Sequence, residues 1–147
     1  MGRKEDRAHA LCLVFQVPYI ESGDTGRVVE RYFDGLETGT KGIDIKFVLD
    51  EFEGVVCHLE DIDGKINSVL TDWDLERLAA ADLAILRLAV FELSYSLGVP
   101  PKVAINEAVD LAKQYSTEDS PKFINGVLSG VLKNIKSAES PSAEEEL

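Results

Sequence analysis

The sequence has few of the residues that special architectures depend on. Its 147 residues include two cysteines, one methionine and one tryptophan, with five prolines and eleven glycines. So few cysteines exclude a disulfide scaffold, and so little proline and glycine excludes a fibrous or low-complexity chain. The most apolar stretch, Leu83–Leu97, is 15 residues long and contains Arg87 and Glu92. A membrane-spanning helix needs about 20 apolar residues, so this stretch predicts a buried core helix instead.

The first residues lack the apolar segment of a secretory signal. The opening letters MGRKEDRAHALCLVF mix both charges and show no small-residue cleavage site. We therefore expect a cytoplasmic protein in which Cys12 and Cys57 are reduced, buried thiols.

Negative charge dominates, with a formal net charge of −12. Taken over the whole chain, that charge argues against non-specific binding to nucleic acid or to an anionic membrane. The acids are concentrated in residues 44–82, with a net charge of −8, and in residues 137–147, with −4. Residues 1–16 and 102–136 each carry a net charge of +1. The charge therefore does not exclude RNA; it predicts weak, partner-dependent binding on one face.

Apolar residues recur at intervals of three and four almost throughout, which predicts an all-α, compact single domain of six to seven helices. We expect a folded domain over 1–136 and an acidic, disordered tail over 137–147. Ser120 is expected to be the N-cap of the last helix, with Pro121 at its first position, and Asp74 to cap a short helical turn. The expected helical segments are Ala8–Val17, Arg27–Gly35, Ile43–Leu70 with a break near Asp61–Gly64, Leu75–Leu78, Ala79–Leu97, Lys102–Tyr115 and Ser120–Lys136. The Ala79–Leu97 helix is apolar on nearly all sides, so the others should pack around it.

No catalytic constellation is visible in the sequence. The soft metal ligands in the sequence are His9, Cys12, Cys57 and His58. They are better explained as ordinary thiol and imidazole side chains than as a zinc site built from two helices. The Gly-rich loop Gly35–Gly42 lacks the Ser or Thr that would follow Lys41 in a phosphate-binding loop. We therefore expect a binding protein, not an enzyme, with no cofactor and no metal.

Three segments together resemble a known family. DLAILRLAVFEL and VPPKVAINEAVDLAKQYSTEDSPKFINGVLSGVL closely resemble the signature of the NusB family of bacterial transcription antitermination factors, and RAHALCLVFQ resembles its first-helix motif. The similarity runs from about Arg7 to Lys136 and is strongest from Trp73 to Leu132. It implies a fold of two three-helix bundles.

The resemblance also implies a function and partners. NusB proteins pair with NusE, a small-subunit ribosomal protein, and the pair binds the boxA element of nascent RNA. With other Nus factors they help RNA polymerase read through terminators, notably in ribosomal RNA operons. Transferred by position, the RNA-binding residues are Arg3, Lys4, Arg7, Phe15, Gln16, Asp119, Ser120, Lys122 and Phe123, and the NusE-binding residues are Asp82, Arg87 and Glu92.

Two alternatives remain open at the level of sequence. Family members carry a basic segment near the start, which here consists of Arg3, Lys4 and Arg7. Glu5 and Asp6 interrupt this basic segment, which favours a protein-only adaptor that has lost RNA binding. A NusB-like domain also accompanies some RNA methyltransferases, and the second alternative is an accessory domain that serves such an enzyme. The absence of a catalytic domain in this sequence favours a free-standing factor. A homodimer is compatible with the family, and no contact with a membrane is expected.

Overall fold

The computed structural model describes residues 2–20, 24–71, 74–96 and 98–139. All regular structure in these ranges is helical, as predicted, and no helix in them is long and apolar enough to cross a membrane. The α-helices are α1 (Arg3–Phe15), α2 (Thr25–Asp34), α3 (Ile45–Cys57), α4 (Leu59–Val69), α5 (Ala80–Tyr95), α6 (Pro101–Tyr115) and α7 (Ser120–Glu139), with 3₁₀ turns at Val17–Tyr19 and Leu75–Arg77.

Helix α5 lies at the centre of the fold, which confirms the prediction from its apolar sequence. It packs against α1, α3, α4, α6 and α7. Ile85, Leu86 and Leu88 have almost no exposed surface, and each such side chain contributes about 1.5–3 kcal/mol by burial. Helices α1, α3 and α5 contact one another, as do α5, α6 and α7. The two bundles thus share α5, and α4 packs on α5 and α7.

A glycine sets the distance between α3 and α5. A Cβ atom on Gly54 would overlap the ring of Phe91. Alanine at this position would therefore force the ring or the helices apart, although glycine itself is a weak helix former.

Several predicted boundaries are wrong. Helix α1 begins at Arg3, not at Ala8, so the basic segment is part of the helix. The break between α3 and α4 falls at His58, not near Asp61–Gly64. The His58 ring stacks on Tyr95 with centroids 3.9 Å apart, and its carbonyl oxygen accepts the first hydrogen bond of α4. Gly64 lies inside α4 without interrupting it.

The predicted caps differ in detail from the observed ones. Asp74 stands at the N-cap of the short turn, as predicted, but its side chain accepts no capping hydrogen bond. The carbonyl of Asp119 accepts the first hydrogen bond of α7, from the Phe123 N–H, and Ser120 is already inside the helix. Helix α7 continues past the expected end at Lys136 as far as Glu139. The rest of the expected tail lies outside the described residues, as does Trp73.

The glycines of the Gly35–Gly42 loop have a conformational explanation. Gly39 and Gly42 have φ angles of 72° and 86°, in the left-handed region that favours glycine. They shape the connection between α2 and α3.

Candidate RNA- and partner-binding surface

A groove of about 380 Å³ lies between the start of α5 and the start of α7. It brings together residues that the sequence analysis assigned to two different binding sides. Its lining residues are Arg77, Leu78, Ala79, Asp82, Thr117, Asp119, Ser120 and Phe123. Asp82 was expected to face NusE, whereas Asp119, Ser120 and Phe123 were expected to face RNA. The fold thus makes one continuous surface from both sets.

Hydrogen bonds fix the wall of this groove. Ser116 donates from its hydroxyl to Asp82 Oδ1 over 2.6 Å and lies 2.9 Å from the hydroxyl of Ser120. The Thr117 N–H donates to Ser120 Oγ over 3.2 Å. Ser120 is only 2% exposed. Its hydroxyl therefore holds the turn before α7 against α5, and it does not present a free group to a ligand.

A second groove, of about 510 Å³, adjoins the first because Leu78 lines both. Phe15 and Arg87 line it, together with Pro18 and Leu75. Phe15 is 41% exposed, so its ring is available to a ligand. Arg87 donates two hydrogen bonds of 2.9 Å to the carboxylate of Asp63. Gln16, the C-cap residue of α1, does not line this groove and donates to the Cys12 carbonyl over 3.4 Å.

The two exposed cations of the basic segment are paired within the protein. Arg3 contacts Asp44 at 3.2 Å and stacks on the ring of Phe47. Lys4 contacts Glu107 at 2.9 Å and Asp110 at 2.8 Å. Hydrogen bonds to Asp110 and Glu107 raise the pKa of Lys4. Any RNA that binds these two residues has to replace carboxylate partners.

Arg7, the third cation, is buried in an acidic cluster. Its guanidinium donates to both carboxylate oxygens of Glu92 at 2.9–3.2 Å and lies 3.9 Å from Glu107. The side chains of Arg7 and Glu92 are 5% and 3% exposed. Both residues were assigned to binding surfaces, and the structure gives them an internal role in joining α1 to α5.

Glu51 completes this buried cluster. It is 2% exposed, and its Oε2 atom has no hydrogen-bond partner in the part of the chain that the structure describes. Burial and the charge of Glu92 raise the pKa of Glu51 to about 8. Glu51 is not among the residues predicted from the sequence, although it lies on the apolar face of α3 between Val48 and Val55. An acid at such a position is a visible signal of a buried charge.

Arg77 was also missed. It lies in the short turn before α5, is exposed, and adds a cation to the groove that contains Asp82 and Phe123. No local pattern predicts this placement, because it depends on the packing of α5 against α7.

The expectation of buried thiols is wrong, since Cys12 and Cys57 are both free and exposed. The imidazoles have partners of their own: His9 Nδ1 lies 2.6 Å from the Tyr32 hydroxyl, and His58 stacks on Tyr95. Among the described residues, no group of three or more His, Cys, Asp or Glu side chains is arranged to hold a metal ion.

Comparison with known proteins decides the family. The sequence model of the NusB family matches residues 4–133. The chain belongs to the NusB family. It is 42% identical over 131 residues to the transcription antitermination protein NusB of Staphylococcus haemolyticus, covering 89% of this chain and 99% of that protein. It is 36% identical over 133 residues to NusB of Clostridium novyi, covering 90% and 99%.

Solved NusB structures have the same fold. The structure of T. maritima NusB matches with a TM-score of 0.79 and 32% identity, covering 90% of this chain and 92% of that one. A chain in the crystal structure of antitermination factors NusB and NusE in complex with dsRNA matches with a TM-score of 0.78 and 28% identity. That match covers 90% of this chain and 96% of the other. The resemblance noted in the sequence and the NusB-like fold are thus confirmed.

Proposed function

We propose that this chain is a non-catalytic transcription antitermination factor that binds boxA RNA as a heterodimer with NusE. In this role it helps RNA polymerase and other Nus factors read through terminators, notably in ribosomal RNA operons. The observation that carries the proposal is the groove between α5 and α7, where Asp82 meets Asp119 and Phe123. The fold around it matches that of a chain in a complex of NusB, NusE and dsRNA.

The groove has chemistry suited to an unpaired RNA segment. Phe123 offers an aromatic ring at its edge, and unpaired bases stack on such rings. The exposed cation Arg77 lines the groove with that ring, and the exposed Lys122 precedes Phe123 in the sequence. Cations neutralise phosphates. The exposed ring of Phe15 extends this surface into the adjoining groove. Asp82 and Arg87 are the proposed NusE contacts.

The paired basic segment explains why a partner is needed. Arg3 and Lys4 already have carboxylate partners, so exchanging these for phosphates adds little affinity. Exposed ion pairs are themselves worth about 0–1 kcal/mol, which makes the exchange easy but not strongly favourable. NusE must therefore contribute a large part of the RNA-binding surface.

The proposal is tested by measuring the affinity for a boxA RNA with and without NusE. We expect NusE to tighten binding. Phe123→Leu keeps the apolar packing but removes the ring, and should weaken RNA binding by about 1–3 kcal/mol, the value of one stacked base. The matched control is Phe33→Leu, a half-buried ring on α2 away from the groove, which should leave the affinity unchanged. The proposal would be contradicted if the unaltered chain and both variants bound the RNA with equal affinity. It would also be contradicted if NusE did not change the RNA affinity.

One observation favours a second candidate, a NusB-like adaptor that binds protein only. The basic segment is neutralised by Asp44, Glu107 and Asp110, so it offers no free cation. The same experiment separates the two functions: the adaptor would form a NusE complex whose RNA affinity equals that of NusE alone.

A further inference from the structure

The outer face of α7 is a stripe of exposed lysines without an acid. Its residues are Lys122, Asn125, Gly126, Ser129, Lys133 and Lys136, all exposed. At 100° per residue they fall within about 100° of one another around the helix. The opposite face, which includes Ile124, Leu128 and Val131, is buried against the core. The stripe is therefore fixed in position by packing behind it.

The lysines of this stripe differ from the three lysines of the protein that form ion pairs. Lys4, Lys46 and Lys65 each contact a carboxylate at 2.8–2.9 Å. In contrast, Lys122, Lys133 and Lys136 form no ion pair with any residue that the structure describes. Their ammonium groups therefore remain available for an anion from outside.

We propose that this stripe binds the phosphate backbone of RNA and extends the groove surface along α7. The inference rests on the proposed function, because the stripe begins at Lys122, the residue that precedes Phe123, whose ring lines the groove. When one base of an RNA segment stacks on that ring, the RNA continues from it in two directions. One of these directions leads along α7, where the lysines lie.

The dimensions of the stripe suit a short RNA segment. With a rise of 1.5 Å per residue, Lys122 lies about 16 Å from Lys133 along the axis and about 21 Å from Lys136. At 3.4 Å per stacked nucleotide, that distance corresponds to about six nucleotides. Between the lysines, Gly126 and Ser129 keep the surface low, and a Cβ on Gly126 would meet nothing within 4 Å. A backbone can thus approach the helix closely.

Charge favours RNA over other partners. The chain has a net charge of −12, whereas the stripe carries three lysines and no acid, so a polyanion is attracted to this face more than to the acidic parts of the surface. Lysine is a flexible point charge that contacts phosphates without distinguishing bases. The stripe should therefore add affinity and salt dependence, and leave sequence preference to the groove.

The test is the double variant Lys133→Gln/Lys136→Gln, compared with Lys41→Gln/Lys102→Gln. The control pair removes the same charge from exposed lysines that do not belong to α7. The RNA is a boxA segment lengthened by about six nucleotides at either end, the reach of the stripe, and NusE is present throughout. Loss of two phosphate contacts should weaken binding about ten-fold near 0.15 M salt and lower the slope of log K against log salt by about 1.4. The same loss is expected for a scrambled extension.

The outcomes separate this inference from the proposed function. If the unaltered chain binds no boxA RNA, the proposed function fails and this inference with it. If the chain binds RNA but the α7 variant has the same RNA affinity as the control variant, only the inference that the stripe binds phosphates is refuted. A variant that keeps its RNA affinity but loses NusE would show that the face binds protein, which also refutes the inference.

Discussion

Replacing Glu51 by glutamine should make the protein less sensitive to alkaline pH. The carboxyl of Glu51 is buried next to Glu92, and this environment raises its pKa from 4.5 to about 8. The folded protein therefore holds a proton on Glu51 between pH 4.5 and 8, where the unfolded chain does not. The stability from this proton is complete below pH 4.5 and is lost as the pH rises through 8.

The size of the effect follows from the two pKa values. Between pH 6 and pH 9, linkage with pKa values of 4.5 and about 8 removes about 3 kcal/mol from the free energy of unfolding. Glutamine has the shape of the protonated carboxyl and cannot lose its proton. Between pH 6 and pH 9 the variant should therefore lose about 3 kcal/mol less stability than the natural protein.

The assay is urea denaturation at both pH values, with Glu53→Gln as the matched control. Glu53 is an exposed carboxyl on the same helix, so its replacement makes the same change in charge without touching the cluster. The reasoning is refuted if Glu51→Gln and Glu53→Gln lose equal stability between pH 6 and pH 9. It is also refuted if the natural protein keeps its stability over that range.

Two further pairs of substitutions test the packing that positions the site. Arg7→Ala should lower the free energy of unfolding by about 3–5 kcal/mol, because it leaves Glu92 buried without a cation, whereas Arg3→Ala, at an exposed pair, should lower it by less than about 1 kcal/mol. Urea denaturation of both variants measures the difference, and equal losses would contradict the internal role of Arg7. Gly54→Ala should destabilise by about 1–2 kcal/mol through overlap with Phe91, since the strain exceeds the gain in helix propensity. Gly64→Ala, in open space inside α4, should instead stabilise by up to about 1 kcal/mol; thermal unfolding that moves both variants in the same direction would disprove the close approach of α3 and α5.

The helices could be predicted from the sequence because apolar periodicity reports directly on which face is buried. The apolar sequence of Leu83–Leu97 predicts a central helix, and α5 has that position. Helix boundaries were harder, because they depend on contacts between helices. His58 ends α3 where its ring meets Tyr95 on α5, and no feature near His58 in the sequence reports that contact.

The position of the candidate site could be predicted from the sequence, but the burial and ion pairing of its side chains could not. The motif places Asp82, Asp119 and Phe123 in the binding region, and the packing of α5 and α7 brings them to one groove. The sequence does not show that Arg7 is buried by Glu92, a residue 85 positions away. Long-range ion pairs of this kind follow from tertiary packing, not from local pattern.

Ion pairing within the protein therefore decides which cations are free to bind RNA phosphates, and the net charge of a sequence segment does not decide this. Residues 1–16 and 102–136 each count +1 in the sequence, yet they differ in the folded protein. Asp44, at the N-cap of α3, and acids from α5 and α6 neutralise all three cations of the first segment. Lys133 and Lys136 project from α7 without such partners among the described residues. If RNA binds this surface, its salt dependence should follow the lysines of α7 more than the basic segment of α1, because only free cations release condensed counterions from RNA without first giving up a carboxylate.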